Sequence, residues 1–496
     1  MIRQPLRAHP HLLEVSAWPW LERLSRLHGG HTTLADVPGV EWNRLADPGF
    51  DLIYLMGVWR RSSIGRDIAR RHPELQREYS AALPDWSAED VAGSPYSIAD
   101  YVPDERMGGW QGLGAARRAL NARGVRLMLD FVPNHTGFDH PWVLQHPDRY
   151  VTGTADDHRT RPGEFRHVGD RFIACGRDSF FPPWTDSAQL NYFNPDTRRA
   201  MVGVLKELSA RCDGVRCDMA MLPLNDVFEQ VWRPTLRHNW PRPQEEFWPQ
   251  AVRQAPALVY LAEVYWDLES TLQRQGFHFT YDKRLLDRLR AGSAHGVRLH
   301  LTAEASYQDR LARFLENHDE PRSAAVFLDR LPAAAVLVAT QLGLRFYFDG
   351  QLTGARLRAP VQLGRWPDER LDEGVRHLYG RLLRETDGPL FHTGTWRMVD
   401  VSSAGDDSYH HLVACSWRLE DRLAVVVVNL GHATAEGRLA IAADAPLSTP
   451  IEFRDVLSDV TYHCTHESLR TSGLHVTLPA GQGQLLQPTS LASSQR

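Results

Sequence analysis

Within the run DGVRCDMAML, residues 213–222, an arginine and an aspartate stand two positions apart in apolar surroundings. Strand side chains at i and i+2 point to one face, so Arg216 and Asp218 share a face while Val215 and Cys217 take the other. Unpaired buried charge is costly, so the pair is either a structural ion bridge or a chemical device. Three more carboxylates follow apolar runs: Asp130 in LMLDFVPNH, Glu263 in YLAEVYW and Asp319 in FLENHDEPR. Any one of them alone reads as a loop-start residue or a helix cap. Together they offer chemistry. A neighbouring cation favours the carboxylate form, which is the expectation for Asp218 beside Arg216. Apolar surroundings favour the protonated form, which is the expectation for Glu263 behind LVYLA. One ionised and one protonated carboxylate are the two halves of nucleophile-and-acid catalysis. His135 and His318 add hydroxyl-directed donors, although either alone would more often be a satisfied core histidine.

Residues so far apart in sequence need a fold that gathers strand ends. Eight β-rich runs alternate with amphipathic helical patterns: HLLEVSAW (11–18), LIYLMG (52–57), RLMLDFVP (126–133), GVRCDMA (214–220), LVYLAEVYW (258–266), FHFTYD (277–282), LARFLENHD (311–319) and GLRFYFDG (343–350). The segment WQGLGAARRALNARG reads as one of the helices, with Gly124 as its C-cap. This alternation predicts an α/β fold, a closed (β/α)8 barrel whose C-terminal strand ends form one face. A doubly wound sheet is the structural alternative, but no GxGxxG turn follows the first strand. The interval from Asp130 to Asp218 is nearly double a βα unit, so an inserted subdomain is expected after the third strand, over 136–190. Past residue 387 the helical pattern stops, and strand-like runs such as HHLVACSW, LAVVVVNLG and LHVTLP predict an antiparallel β-sandwich over 388–490, after a barrel spanning 1–387. The tail LASSQR is expected to fray.

Composition removes several classes of function. The 496 residues carry a net charge of −5 and no basic run, so no nucleic-acid partner is expected. The N-terminal MIRQPLRAHPHLLEV lacks an apolar signal region, and no apolar run reaches membrane-spanning length. Cys175, Cys212, Cys217, Cys415 and Cys464 are odd in number without CxxC spacing, which predicts buried thiols in a reducing, cytoplasmic setting.

In order along the chain, DFVPNH, GVRCD, AEV and NHD resemble the four signatures of the alpha-amylase superfamily of glycoside hydrolases and transglycosidases. GSPYSIADY resembles the segment whose tyrosine stacks on the reacting sugar, and AQLNYFNP the segment leading into the fourth strand unit. The resemblance implies that Asp218 is the nucleophile, Glu263 the acid/base and Asp319 the transition-state-stabilising acid. It implies substrate contacts from Tyr96, Asp130, His135, Arg216 and His318. The implied activity is retaining cleavage of alpha-glucosidic bonds in alpha-glucans or oligosaccharides, with a nucleophile–acid separation of about 5–5.5 Å. No cofactor is expected. Relatives often bind calcium with an acidic residue where this chain has Gln189, and Asn134 with backbone carbonyls makes a poor hard-cation cage.

Three other readings keep some of these residues: a transglycosidase on the same scaffold, an inactive sugar-binding relative, and a metallohydrolase using His135, Asp218 and Asp319. Met221 and Leu222 replace the lysine and histidine usual on the acceptor side of amylases, and are expected to offer apolar surface to a sugar there, extended by Tyr265 and Trp266. Phe180, Phe181 and Trp184 either stack on sugar rings or form the small core of the insertion.

Overall fold

The computed structural model describes residues 5–236, 240–441, 451–458 and 460–489. The eight apolar runs form the eight strands of one closed parallel barrel, each neighbouring the next in sequence. They are β1 (His11–Ser16), β2 (Leu52–Met56), β3 (Arg126–Phe131), β4 (Gly214–Cys217), β5 (Val259–Ala262), β6 (Phe279–Tyr281), β7 (Leu311–Arg313) and β8 (Leu344–Phe348). Helices cover the outer faces of such a barrel, so both faces of each strand are buried and the strands read as continuous apolar runs. Each observed strand is shorter than its run because the chain leaves the barrel wall at its polar end. HLLEVSAW, for example, is strand only to Ser16, and Ala17 opens the helix Ala17–His28. The helix Gly109–Asn121 caps on Ala122, and Gly124 turns the chain left-handed (φ +75°) two residues later, before β3. Gly343, at φ +83°, allows a close turn into β8, where any Cβ would run into the carbonyl of Leu311.

Two connections at the C-terminal end are long. Between β2 and β3 lie the helices Ser63–Arg71 and Pro73–Ala82 and a strand pair, Trp59–Arg61 with Ile98–Pro103. Between β3 and β4 lies an antiparallel sheet built from His135–Gly137, Trp184–Gln189, Arg171–Gly176 and Thr152–Gly153, with Phe165–Val168 paired to Arg171–Gly176.

The chain ends in a β-sandwich. One sheet orders β9 (Thr395–Val399), β11 (Leu412–Leu419), β12 (Arg422–Asn429), β17 (Gly483–Thr489), β14 (Ile451–Asp455) and β15 (Thr461–Cys464). The other orders β10 (Val401–Ser402), β13 (Ala435–Leu439) and β16 (Leu474–Leu478). The four-valine run of β12 has a physical reason. Val425 and Val427 point into the sandwich core, while Val426 and Val428 join the core of the barrel. Alternate residues thus serve two cores, which removes the polar face that an exposed sheet would show. Trp417 Nε1 seals the junction by donating to the Thr340 carbonyl at 2.7 Å. The tail LASSQR and the end of the 388–490 span lie outside the described residues.

All five cysteines are free thiols, four of them buried. Among the described residues, no helix is long and apolar enough to cross a membrane.

Candidate active site

Arg216, the last but one residue of β4, is wholly buried and lies beside Asp130 of β3 in the barrel register. Its Nη1 donates to Asp218 Oδ1 at 2.6 Å, and its Nη2 lies 2.9 Å from Glu263 Oε2 as an ion pair without hydrogen-bond alignment. Its Nε donates to the Tyr281 hydroxyl at 3.3 Å, and the Tyr96 ring lies 5.1 Å from the guanidinium. One planar cation therefore joins two carboxylates from adjacent strand ends, a role suited to a guanidinium fork. This resolves the paired charge on the strand: the cation holds both acids at once. Removing one partner from such a buried set typically costs about 3–5 kcal/mol.

The acids differ in proton affinity. Burial lifts Glu263 to about 7; Arg216 opposes the shift, while Asp218 adds to it. Burial also raises Asp218 above the usual carboxylate range, although Arg216 and its hydrogen bond pull the other way. The guanidinium thus limits the desolvation of Asp218 without cancelling it, a weaker hold than the sequence expectation. Glu263 is fixed at both oxygens: Oε2 accepts the Met219 N–H at 2.7 Å and Oε1 the Tyr265 hydroxyl at 3.0 Å.

His318 forms the second cluster. Its Nδ1 lies 2.5 Å from Glu14 Oε1, and its Nε2 lies 2.6 Å from the Tyr96 hydroxyl and 3.0 Å from Asp319 Oδ2. A carboxyl group thus faces each ring nitrogen, an arrangement that favours the imidazole with both protons. Burial disfavours that cation, but Asp319 and Glu14 keep its pKa well above the ordinary value. Asp319 in turn is lowered to about 2: burial opposes ionisation, and His318 overcomes it. The Asp319 side chain remains 45 % exposed, an ionised group open to the cleft.

His135 is the contrasting histidine. Burial lowers it to about 4, so it is neutral, and its ring packs 5.2 Å from Trp184. Asp130 faces inward. Oδ1 accepts from the Tyr54 hydroxyl and Oδ2 from the Gly57 N–H at 2.7 Å, leaving a wholly buried brace beneath the site and no oxygen toward the cleft.

The structure thus joins Arg216, Asp218 and Glu263 directly, and Tyr96, His318 and Asp319 directly, with the Tyr96 ring over Arg216 linking the groups. One contributor, Glu14, escapes a reading based on strand ends, and Tyr265, expected as apolar surface, takes a polar role at Glu263 instead. Glu14 sits inside β1, where its signal was a lone carboxylate in the otherwise apolar HLLEVS; Tyr265 acts through Glu263. Met221 and Leu222 correct an expectation: both are buried in this structure and offer no surface to a sugar. The Ala220 N–H donates to the Glu263 carbonyl at 2.9 Å and Trp248 Nε1 to the Ala220 carbonyl at 2.7 Å, which draws this turn under the barrel end.

The oxygens near Gln189 have internal partners. Gln189 Nε2 donates to Asn134 Oδ1 at 2.9 Å and to the carbonyls of Asn134 and Leu190 at 3.0 Å each. An amide nitrogen at the convergence of three oxygens, with no carboxylate among them, does not suit a hard cation.

No family model matches the chain. It is 22 % identical over 280 residues to "Alpha-amylase 3" of Dictyoglomus thermophilum, covering 52 % of each chain. It is 23 % identical over 346 residues to an "Alpha-glucosidase" of Schizosaccharomyces pombe, covering 57 % of this chain and 59 % of the other. The chain therefore spans between half and three-fifths of the length of these curated relatives. In fold it resembles a noncanonic maltogenic alpha-amylase from Thermotoga neapolitana, with TM-score 0.69 and 17 % identity over 97 % of this chain and 99 % of the other. Sequence relatives, fold and four ordered motifs point the same way: the chain is similar in sequence to an alpha-amylase and an alpha-glucosidase, and in fold to an alpha-amylase.

Proposed function

We propose that the chain is a retaining glycoside hydrolase acting on alpha-glucosidic bonds of short alpha-glucans. The observation that carries this reading is the Arg216 bridge between Asp218 and Glu263, with Glu263 lifted to about 7 by burial. Asp218 attacks the anomeric carbon while Glu263, protonated at neutral pH, gives its proton to the departing glycosidic oxygen. The bond from the anomeric carbon to that oxygen breaks, and a glycosyl ester forms on Asp218. Glu263, now ionised, then takes a proton from water or a sugar hydroxyl that attacks the ester and releases Asp218. Tyr96 supplies a ring face against the sugar, and His135 and the cationic His318 supply hydroxyl contacts. Asp319, ionised and open to the cleft, stabilises positive charge developing on the ring. Asp130 supports this wall from behind through Tyr54 and Gly57.

The acceptor decides between hydrolase and transglycosidase, and product chromatography from maltotriose over a wide concentration range tests both. Glucose and maltose are expected at low substrate, with longer transfer products growing in at high substrate. If no maltooligosaccharide reacts, the alpha-glucan reading falls. If only shorter sugars form at every concentration, transfer falls and hydrolysis stands.

Calcium independence is part of the proposal, supported by the Gln189 amide among its three oxygens. A chelator is expected to leave rate and Tm unchanged. The converse variant, Gln189→Glu, sets one carboxylate oxygen against the three acceptors that the amide nitrogen meets now, while the other keeps the Asn134 Nδ2 donor, at 3.1 Å from Gln189 Oε1. Its Tm is expected to fall by several degrees and to recover on adding calcium. A wild-type Tm that drops with chelator and returns with calcium would show that other oxygens form a cation site.

A further inference from the structure

We propose that the base of the barrel is an acid-operated latch: His9 and His11 join the N-terminal segment, β8 and the C-terminal sandwich while neutral, and their protonation opens the joint. The latch lies at the N-terminal ends of β1 and β8, opposite the acids of the candidate site, and stands apart from the glycosidase reading. Hydrogen-bond direction fixes the charge of both rings. The Gly343 N–H, just ahead of β8, donates to His9 Nδ1 at 2.9 Å. Arg345 Nη1 lies 3.0 Å from His11 Nε2, and a guanidinium only donates. Each of these ring nitrogens therefore offers a lone pair and carries no proton. A proton added there would meet a donor and break the bond. His11 is wholly buried, and its Nδ1 has no hydrogen-bond partner among the described residues.

The surrounding charges make a further cation costly. Arg345 is itself wholly buried, and besides His11 it bonds only the carbonyls of Gln341 at 3.1 Å, Thr386 at 3.5 Å and Phe391 at 2.8 Å. Arg313 stands beside it in the register of β7, with Asp282 3.5 Å from its Nε. Arg7, on the other side, already pairs with Asp51 and Asp387, and Asp51 also accepts the His11 backbone N–H at 2.9 Å. The His392 ring lies 5.6 Å from that of His11 and donates from Nδ1 to the Ala8 carbonyl at 2.8 Å. Three arginines thus face three histidines, and the carboxylates in reach have other partners. Burial lowers His9 to about 3 and holds His11 well below its ordinary value, and Arg345 adds to both shifts. His392 is lowered by burial as well.

The same residues join distant parts of the chain. His11 stands opposite Arg345 where β1 and β8 close the barrel. The His9 ring packs edge-on against Trp417 of β11, 5.3 Å between centroids. Trp417 also meets the Phe391 ring at 5.7 Å and the Arg345 guanidinium at 5.7 Å. His9 has a left-handed backbone, φ 48°, which non-glycine residues rarely adopt and which persists only where the surroundings impose it. Protonation therefore strikes barrel closure and the seat of the sandwich at one point. An unfolded histidine titrates near about 6.5. Above that pH the rings are neutral whether the joint is closed or open. Below it the open joint takes up protons that the closed one refuses, so its stability falls as pH drops from about 6.5.

The test uses substitutions that keep each acceptor and remove its titration. In His9→Asn the amide oxygen takes the place of Nδ1, and asparagine tolerates the positive φ; in His11→Gln the amide oxygen takes the place of Nε2. The pH slope of the unfolding free energy, from denaturant titrations, counts the protons taken up on unfolding. Between about pH 5.5 and 4.5 the double variant is expected to take up about two fewer protons than wild type. Its Tm is expected to fall less on acidification. Equal proton uptake in the two proteins overturns the latch. Hydrogen exchange of the Gly343 amide in the wild type keeps the proposal open to refutation if the variant fails to fold. Corrected for intrinsic exchange, its protection is expected to drop on the order of a hundredfold over the same pH unit, as uptake of two protons requires. Protection that stays level across that interval overturns the proposal.

Discussion

Asp218→Asn is expected to lower turnover on the order of 10⁴-fold or more, with the fold retained. The substitution keeps volume and hydrogen bonding near Arg216 but removes the charge and the nucleophile. Arg216 still has Glu263 at 2.9 Å and the Tyr281 hydroxyl at 3.3 Å, so the buried cation keeps partners. Some loss of Tm is expected, because a neutral amide solvates the guanidinium less well than a carboxylate. Activity within a few-fold of wild type would remove Asp218 from the reaction, whatever its place in the Arg216 bridge. The steady-state rate and a thermal melt, measured on the same preparation, separate loss of chemistry from loss of fold.

Glu263→Gln is expected to show a second, different pattern. Loss of a positioned general acid lowers the rate of maltotriose cleavage by about 10²–10⁴-fold. The loss in first-step rate is smaller for alpha-glucosyl fluoride, because fluoride departs without needing a proton. The pH profile supplies an independent sign. Catalysis needs Glu263 protonated, and its pKa is lifted to about 7, so kcat/KM falls as pH rises through about 7. The acid limb follows Asp218, which must be ionised and is raised by burial, so activity is lost as pH drops through its elevated pKa. In Glu263→Gln the alkaline limb of the residual maltotriose cleavage disappears, while alpha-glucosyl fluoride lacks it even in the wild type. An alkaline limb that persists near 7 in this variant would assign it to another group.

Much of this arrangement was legible in the sequence for physical reasons. Barrel strands are buried on both faces, so the eight apolar runs identified them, and the acids stood at their ends because polar groups leave the wall there. What escaped was set by tertiary placement. Glu14 lies within an apolar strand, and only barrel closure brings it to His318, 304 residues away. Met221 and Leu222 look like cleft residues by distance from Asp218, but the bonds at Ala220 turn them into the core. The strands Ala435–Leu439 and Thr461–Cys464 are absent from the sequence reading because AEGRL and TYHC carry no apolar run. Thr461–Cys464 is a sheet edge, where one face meets solvent and little apolar signal is required. The contrast between the histidines was also hidden. His135 and His318 both follow asparagine, yet one is neutral and the other cationic, according to the carboxylates that folding places beside them.

The central claim is a covalent glycosyl ester on Asp218, and mass spectrometry of the Glu263→Gln variant with alpha-glucosyl fluoride tests it most directly. The first step proceeds without a proton donor, while the second lacks its general base, so the intermediate accumulates. The predicted result is protein heavier by one anhydroglucose unit, with the modification mapping to the peptide that contains Asp218 and absent when Asp218→Asn is added. Turnover of the fluoride with no adduct at any time, with beta-glucose as the first product, would show direct displacement by water. An adduct on Asp319 would move the nucleophile to the other acid, and either result would contradict the account.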